Sequence, residues 1–123
     1  MARARLSRAR ALLVSLAAAL AFTSLSACTS PTLPLPPPAS PLIATGLTPD
    51  TFRLTSVDGS EPNAVIVIVN RNESLPRDKR VSGTIADERG SWEATVIARV
   101  GDVLDISQEA SGIRSPATSV TVR

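Results

Sequence analysis

From Leu47 onward, apolar and polar positions follow the two-residue period of β-strands. Phe52-Arg53-Leu54-Thr55-Ser56-Val57 alternates, so Phe52 and Leu54 share one face. Asp58 to Asn63 ends that run as a turn. Ala64-Val65-Ile66-Val67-Ile68-Val69 is apolar without a break and β-branched from Val65 on, which predicts a stiff central strand covered on both faces. A charged loop with Pro76 inside it spans Asn70 to Arg80. Val81 to Ala86 is the third strand, closed by the turn Asp87-Glu88-Arg89-Gly90. Ser91 to Arg99 alternates again, with Trp92, Ala94, Val96 and Ala98 facing inward. Val100-Gly101-Asp102 turns the chain into Val103 to Gln108, and a Ser111-Gly112 turn leads to a closing strand from Ala117 to Val122. Six strands at this spacing predict two small packed sheets, and Leu42-Ile43-Ala44 before Gly46 supplies a candidate seventh.

The first 46 residues follow a different pattern. Met1 to Arg10 holds Arg3, Arg5, Arg8 and Arg10 and no acid, then Ala11 to Phe22 is apolar, then small residues lead to Cys28. That is the three-part layout of a helical export signal, and its apolar part is short of the roughly 20 residues a spanning helix needs. The leader lacks paired arginines, which favours the general secretory route. Leu25-Ser26-Ala27-Cys28 resembles the lipobox of bacterial lipoproteins at every position. The resemblance implies recognition of Leu25, Ser26 and Ala27 by the signal peptidase, removal of residues 1–27, and lipidation of the Cys28 sulfur by a diacylglyceryl group. A further chain such as palmitate often joins the new amine. At about 0.8 kcal/mol per buried methylene, two or three such chains anchor permanently. Thr29, where an aspartate would signal inner-membrane retention, implies the outer membrane of a Gram-negative envelope.

Residues 28–46 then read as an anchor and tether. Six prolines between Pro31 and Pro41 fix φ and remove donors, so neither helix nor central strand is expected there. As a polyproline spacer, Thr29 to Thr48 would reach roughly 60 Å at about 3.1 Å per residue. The domain itself is expected over residues 47–123. At about 75 residues it buries only about 60% of its unfolded-chain surface, so its stability should lie near the low end of about 5–15 kcal/mol.

Composition narrows the function. The chain's formal charge of +2 belongs to the leader: removing its four arginines leaves nine basic against eleven acidic residues, a net charge of −2. The basic stripe of a nucleic-acid binder is missing from what remains. With one cysteine there is no internal disulfide or cysteine metal site. The chain has no histidine or tyrosine, which removes the usual general base near neutral pH and the commonest transition-metal ligand. No enzyme activity, cofactor or metal is expected.

Gly83 to Trp92, then Gly101-Asp102-Val103-Leu104, then Ser111 to Ser115 before Val120 and Val122, resembles bacterial immunoglobulin-like domains of surface proteins. Carboxypeptidase-regulatory-like sandwiches share the glycine-then-aromatic strand start and stand as the alternative. With the six to seven strands read from the pattern, the first resemblance implies a small all-β, immunoglobulin-like β-sandwich. The motif residues lie in turns and core, so they speak to fold more than to function.

Several side chains are candidates for chemistry. Trp92 reads as a core plug before a stacking platform, given its alternation with Ala94 and Val96. Asp58, Asp87, Glu88, Asp102 and Asp105 could offer oxygens to calcium, but no dense acidic loop gathers them, and turn formation accounts for them. Asp102 and Asp105, three apart, would point to opposite faces of one strand and make a poor acid/base pair. Arg71, Arg77, Lys79 and Arg80, diluted by Glu73 and Asp78, form a basic edge on the long loop. The expectation is a membrane-anchored envelope lipoprotein whose sandwich serves structure or protein interaction, with calcium or small-ligand binding as the alternative.

Overall fold

The computed structural model describes residues 33–46 and 48–123. The leader, the lipobox and Cys28 lie outside the described residues. Eight strands and one short helix follow in order: β1 (Leu42–Thr45), β2 (Thr51–Ser56), β3 (Val65–Asn70), α1 (Arg77–Arg80), β4 (Val81–Ile85), β5 (Trp92–Ile97), β6 (Val103–Ala110), β7 (Ile113–Arg114) and β8 (Thr118–Thr121). They form a small all-β sandwich of two antiparallel sheets. One sheet runs β1-β2-β5, the other β4-β3-β6, with β7 and β8 both pairing with β6.

Alternation builds the three-stranded sheet as expected. Phe52 faces Val96 and Leu54 faces Ala94 across β2 and β5, and all four are buried. In the opposite sheet Ile68 faces Ile106, and Ile66, Leu104 and Val122 complete that half of the core. Trp92 is buried in the same cluster, across from Ser56. The closing strand is split. Ser115 and Gln108 keep the ladder going through Ser115 N–H to Gln108 O (2.8 Å), but Pro116 has no N–H to continue it, so β7 and β8 are separate segments.

The β4–β5 turn needs its glycine. Gly90 has φ of +80°, and its carbonyl accepts from the Ser60 N–H at 3.1 Å, so a Cβ at this position would run into the Ser60 carbonyl.

Two expectations are corrected. β3 is central in its sheet but covered on one face only: its residues alternate strictly, Ile68 being 1% exposed while Val65 is 45% and Val69 37% exposed. A two-layer sandwich gives each sheet one inner face, and no second layer lies over the outer face of this one among the described residues. An unbroken apolar run therefore does not require two covered faces.

The second correction concerns the first strand of the sandwich. Leu42, Ile43, Ala44 and Thr45 pair with Thr55, Leu54, Arg53 and Phe52, so the candidate seventh strand is the edge of the three-stranded sheet, upstream of the boundary expected at residue 47. The proline segment before it is neither helix nor strand, as expected, but it is docked. Pro38 is fully buried, the Ala39 amide donates to the Gly59 carbonyl at 2.7 Å, and the Gln108 Nε2 donates to the Pro36 carbonyl at 2.7 Å. Thr118 Oγ1 donates to the Pro38 carbonyl. Gln108 drives this docking. It lies on the inward side of β6 with Leu104 and Ile106, where a primary amide must find partners, and it finds them in Pro36 and in the Glu61 amide, which donates to its Oε1 at 2.7 Å.

Candidate interaction cleft

At one end of the sandwich the β1–β2 turn, the β3–α1 connection and the β5–β6 turn meet around a buried polar latch. Asn70, the last residue of β3, is buried; its Nδ2 donates to the Ile97 carbonyl (3.2 Å) and to Asp102 Oδ2 (2.9 Å), and its Oδ1 accepts from the Asn72 amide (2.9 Å). Asn72 Nδ2 donates to Asp102 Oδ1 (2.9 Å), and the Arg99 amide donates to Asp102 Oδ2 (2.9 Å). Asn72 Oδ1 then organises the next turn by accepting from the Ser74 amide and hydroxyl. Partial burial works to raise the Asp102 carboxyl, but hydrogen bonds from Asn70, the Arg99 amide and Asn72 outweigh it and hold the group below its ordinary value.

Beside this latch lies a cleft of about 430 Å³. Leu75, Pro76, Ile97 and Ala98 give it apolar walls, Lys79 and Arg99 bring positive charge, and Asp50 one negative charge. The Thr48 and Thr51 hydroxyls at its rim are engaged with each other at 2.9 Å and with their own turn.

The residues singled out from the sequence are scattered. Asp58 and Asp87 meet at the opposite end of the sandwich through Ser91: Ser91 Oγ donates to Asp58 Oδ1 at 3.3 Å, and the Ser91 amide donates to Asp87 Oδ1 at 2.9 Å. Amides of Ser91 and Arg89 hold the Asp87 carboxyl below its ordinary value. Asp102 belongs to the latch. Asp105 lies on the outer face of β6, where Arg71 grips it with two bonds of 2.7 and 2.8 Å and Ser119 Oγ donates at 2.6 Å. That clamp lowers the Asp105 carboxyl and raises the Arg71 guanidinium, chiefly through the hydrogen bonds between them. Among the described residues no three acidic or cysteine side chains converge as a metal site would require. The basic edge loses Arg71 to this pair, leaving Arg77, Lys79 and Arg80 on α1. Trp92 lines a second, shallower hollow of about 400 Å³ with Thr55, Val57, Ile85 and Glu93, and among the described residues its buried indole N–H has no hydrogen-bond partner.

Sequence reasoning missed Asn70 and Gln108. Both sit at inward positions of their strands, Asn70 after Ile66 and Ile68, Gln108 after Leu104 and Ile106. A polar residue that keeps the parity of the core is the signal that would have found them.

The latch predicts an acid response. Because the Asp102 pKa is depressed on folding, its contribution is present above the unfolded value near 3.9 and is lost as pH falls through the folded value. Unfolding midpoints measured from about pH 6 down to pH 2 should fall for the wild type, and Asp102→Asn should lower the midpoint at pH 6 while flattening that fall.

Comparison with protein-family models, with curated proteins and with solved structures finds no match to this chain.

Proposed function

We propose that this chain is a bacterial envelope lipoprotein, anchored through Cys28 to the outer membrane of a Gram-negative cell, whose immunoglobulin-like sandwich serves as a structural or protein-interaction module. The observation that carries the reading is the unique cysteine at the end of a complete lipobox, behind an arginine-bearing apolar leader and ahead of a small β-sandwich. The strand partition supports the immunoglobulin-like half of the proposal. In constant-type immunoglobulin domains the fourth strand joins the first, second and fifth; here β4 has moved to the edge of the other sheet beside β3, a switch within the same architecture. The calcium alternative has less support, since Asp102 and Asp105 spend both carboxylate oxygens, and Asp87 one of its two, on partners within the domain.

Docking of the proline segment changes the expected standoff. Pro36 to Ala39 are held by Gln108, Gly59 and Thr118, so these residues do not add to the reach of a tether. At about 3.1 Å per residue, that docking takes away part of the roughly 60 Å expected of an undocked tether. The module would then work closer to the lipid surface. Cys28→Ser is expected to abolish acylation and move the protein from the membrane to the soluble envelope fraction, as read by intact mass and fractionation. A wild-type mass that matches an unmodified Cys28 would remove the proposal's basis.

A further inference from the structure

The edge of the five-stranded sheet is open. Ala86 N–H donates to the Ala64 carbonyl at 2.9 Å, and the register continues through Thr84 opposite Ile66 and Ser82 opposite Ile68. Successive residues of an antiparallel strand point their N–H and C=O groups to opposite sides. Those of Val81, Gly83 and Ile85 therefore point away from β3, along an edge with which no strand pairs among the described residues. Val81-Ser82-Gly83-Thr84-Ile85 has no charge, proline or bulge, the devices that usually protect an edge. The other edges are better guarded: β1 follows Pro41 and the docked proline segment, β5 carries Glu93, and β8 follows Pro116.

The outer face beside that edge is apolar. Val81 is 56% and Ile85 68% exposed, and they stand opposite the outward Val69 and Val65 of β3. Charges of opposite sign flank the strand. Arg77, Lys79 and Arg80, with Asp78 among them, precede β4 on α1, while Asp87 and Glu88, followed by Arg89, come just after it.

We infer that the partner of this edge is a second copy of the chain, paired antiparallel along β4 about a two-fold axis at Gly83. The geometry is self-consistent. Centring on Gly83 sets outward-pointing groups against outward-pointing groups, Val81 of one copy opposite Ile85 of the other, with each such pair exchanging both backbone bonds. The apolar stripe becomes continuous across the two copies, and no like charges face each other along the strands. The basic α1 of each copy comes beside Asp87 and Glu88 of the other, whereas a parallel pairing would set the two α1 segments side by side. A single short strand and its stripe bury less than the roughly 800 Å² per partner of stable interfaces, so the contact is weak and reversible in solution. Confinement to a membrane would raise its occupancy.

The inference stands apart from the anchor and is tested on the chain from residue 28 carrying Cys28→Ser. Sedimentation velocity over a concentration series is expected to show a concentration-dependent dimer. Val81→Lys and Ile85→Lys should each weaken it by about tenfold or more, roughly 1.4 kcal/mol, with an unchanged unfolding midpoint, since both side chains are already solvated in the monomer. At low salt Lys79→Glu and Glu88→Lys should each weaken the dimer, and together restore it. Gly83→Cys should give a disulfide-linked dimer on oxidation, because directly opposed residues in a hydrogen-bonded pair lie about 5.5 Å apart between Cα atoms, within disulfide range. A Cβ there meets the Ile66 carbonyl at 3.3 Å, which requires only slight give. A chain that stays monomeric to about 1 mM, the weak end of specific association, overturns the inference. So does a dimer indifferent to both lysine substitutions.

Discussion

Ile68→Asp is expected to abolish cooperative folding of the domain. Ile68 lies at the centre of β3, between Ser82 on one side and Ile106 on the other, with its side chain directed into the core. Truncating such a side chain alone costs about 2–5 kcal/mol. A carboxylate in its place adds several more, because no cation or donor stands among Ile66, Leu104 and Ile106 to offset its lost hydration. Against a total stability near the low end of about 5–15 kcal/mol, little folded population should survive. The informative control is three residues away. Val65→Lys falls on the outer face opposite Glu109 and should shift stability by no more than about 0.5 kcal/mol. Chemical denaturation of both variants checks this: equal damage would mean that both faces of β3 are covered after all.

A chain beginning at Leu47 is expected to lose cooperative unfolding, while one beginning at Leu33 keeps the midpoint of the longer protein. The shorter chain lacks β1, so β2 becomes an edge and the partly buried Ile43 no longer packs against the core. It also lacks Pro38, which is fully buried, and the Pro36 carbonyl that accepts from Gln108. Leaving that buried amide without its acceptor costs about 1–3 kcal/mol by itself. The lost burial of Ile43 and Pro38 adds a comparable amount, about 1.5–3 kcal/mol for each fully covered apolar side chain. A clean two-state transition in the Leu47 chain, with the midpoint of the Leu33 chain, would show that residues 33–46 merely rest on the sandwich.

The alternation at Phe52 and Leu54, and at Trp92, Ala94 and Val96, fully announces its strands and their inward faces, because a period of two is local and each residue reports its own side. Turn positions were legible for the same reason: Asp87 to Gly90 carries its own φ requirement and hydrogen-bond acceptors. The cleft was not legible. Its walls come from Thr51 at the start of β2, Leu75 before α1, Lys79 on α1 and Arg99 in the β5–β6 turn, which meet only once both sheets have paired. Arg71 read as part of a basic edge because its partner Asp105 lies 34 residues further on, beyond α1, β4 and β5, and becomes adjacent only through the β3–β6 pairing.

The sequence by itself determined the all-β class and the inward positions of most strands. Those features depend on local periodicity and on short contiguous patterns. The tertiary structure decided that β3 keeps one face in solvent, that β4 joins the sheet of β3 with its other edge open, and that the proline segment is held by Gln108. Each depends on which surfaces meet across long separations in the chain. An apolar run is equally compatible with one covered face or two, and a proline-rich stretch is equally compatible with solvent or with a dock. Only the arrival of a neighbouring surface, or its absence, separates the two states.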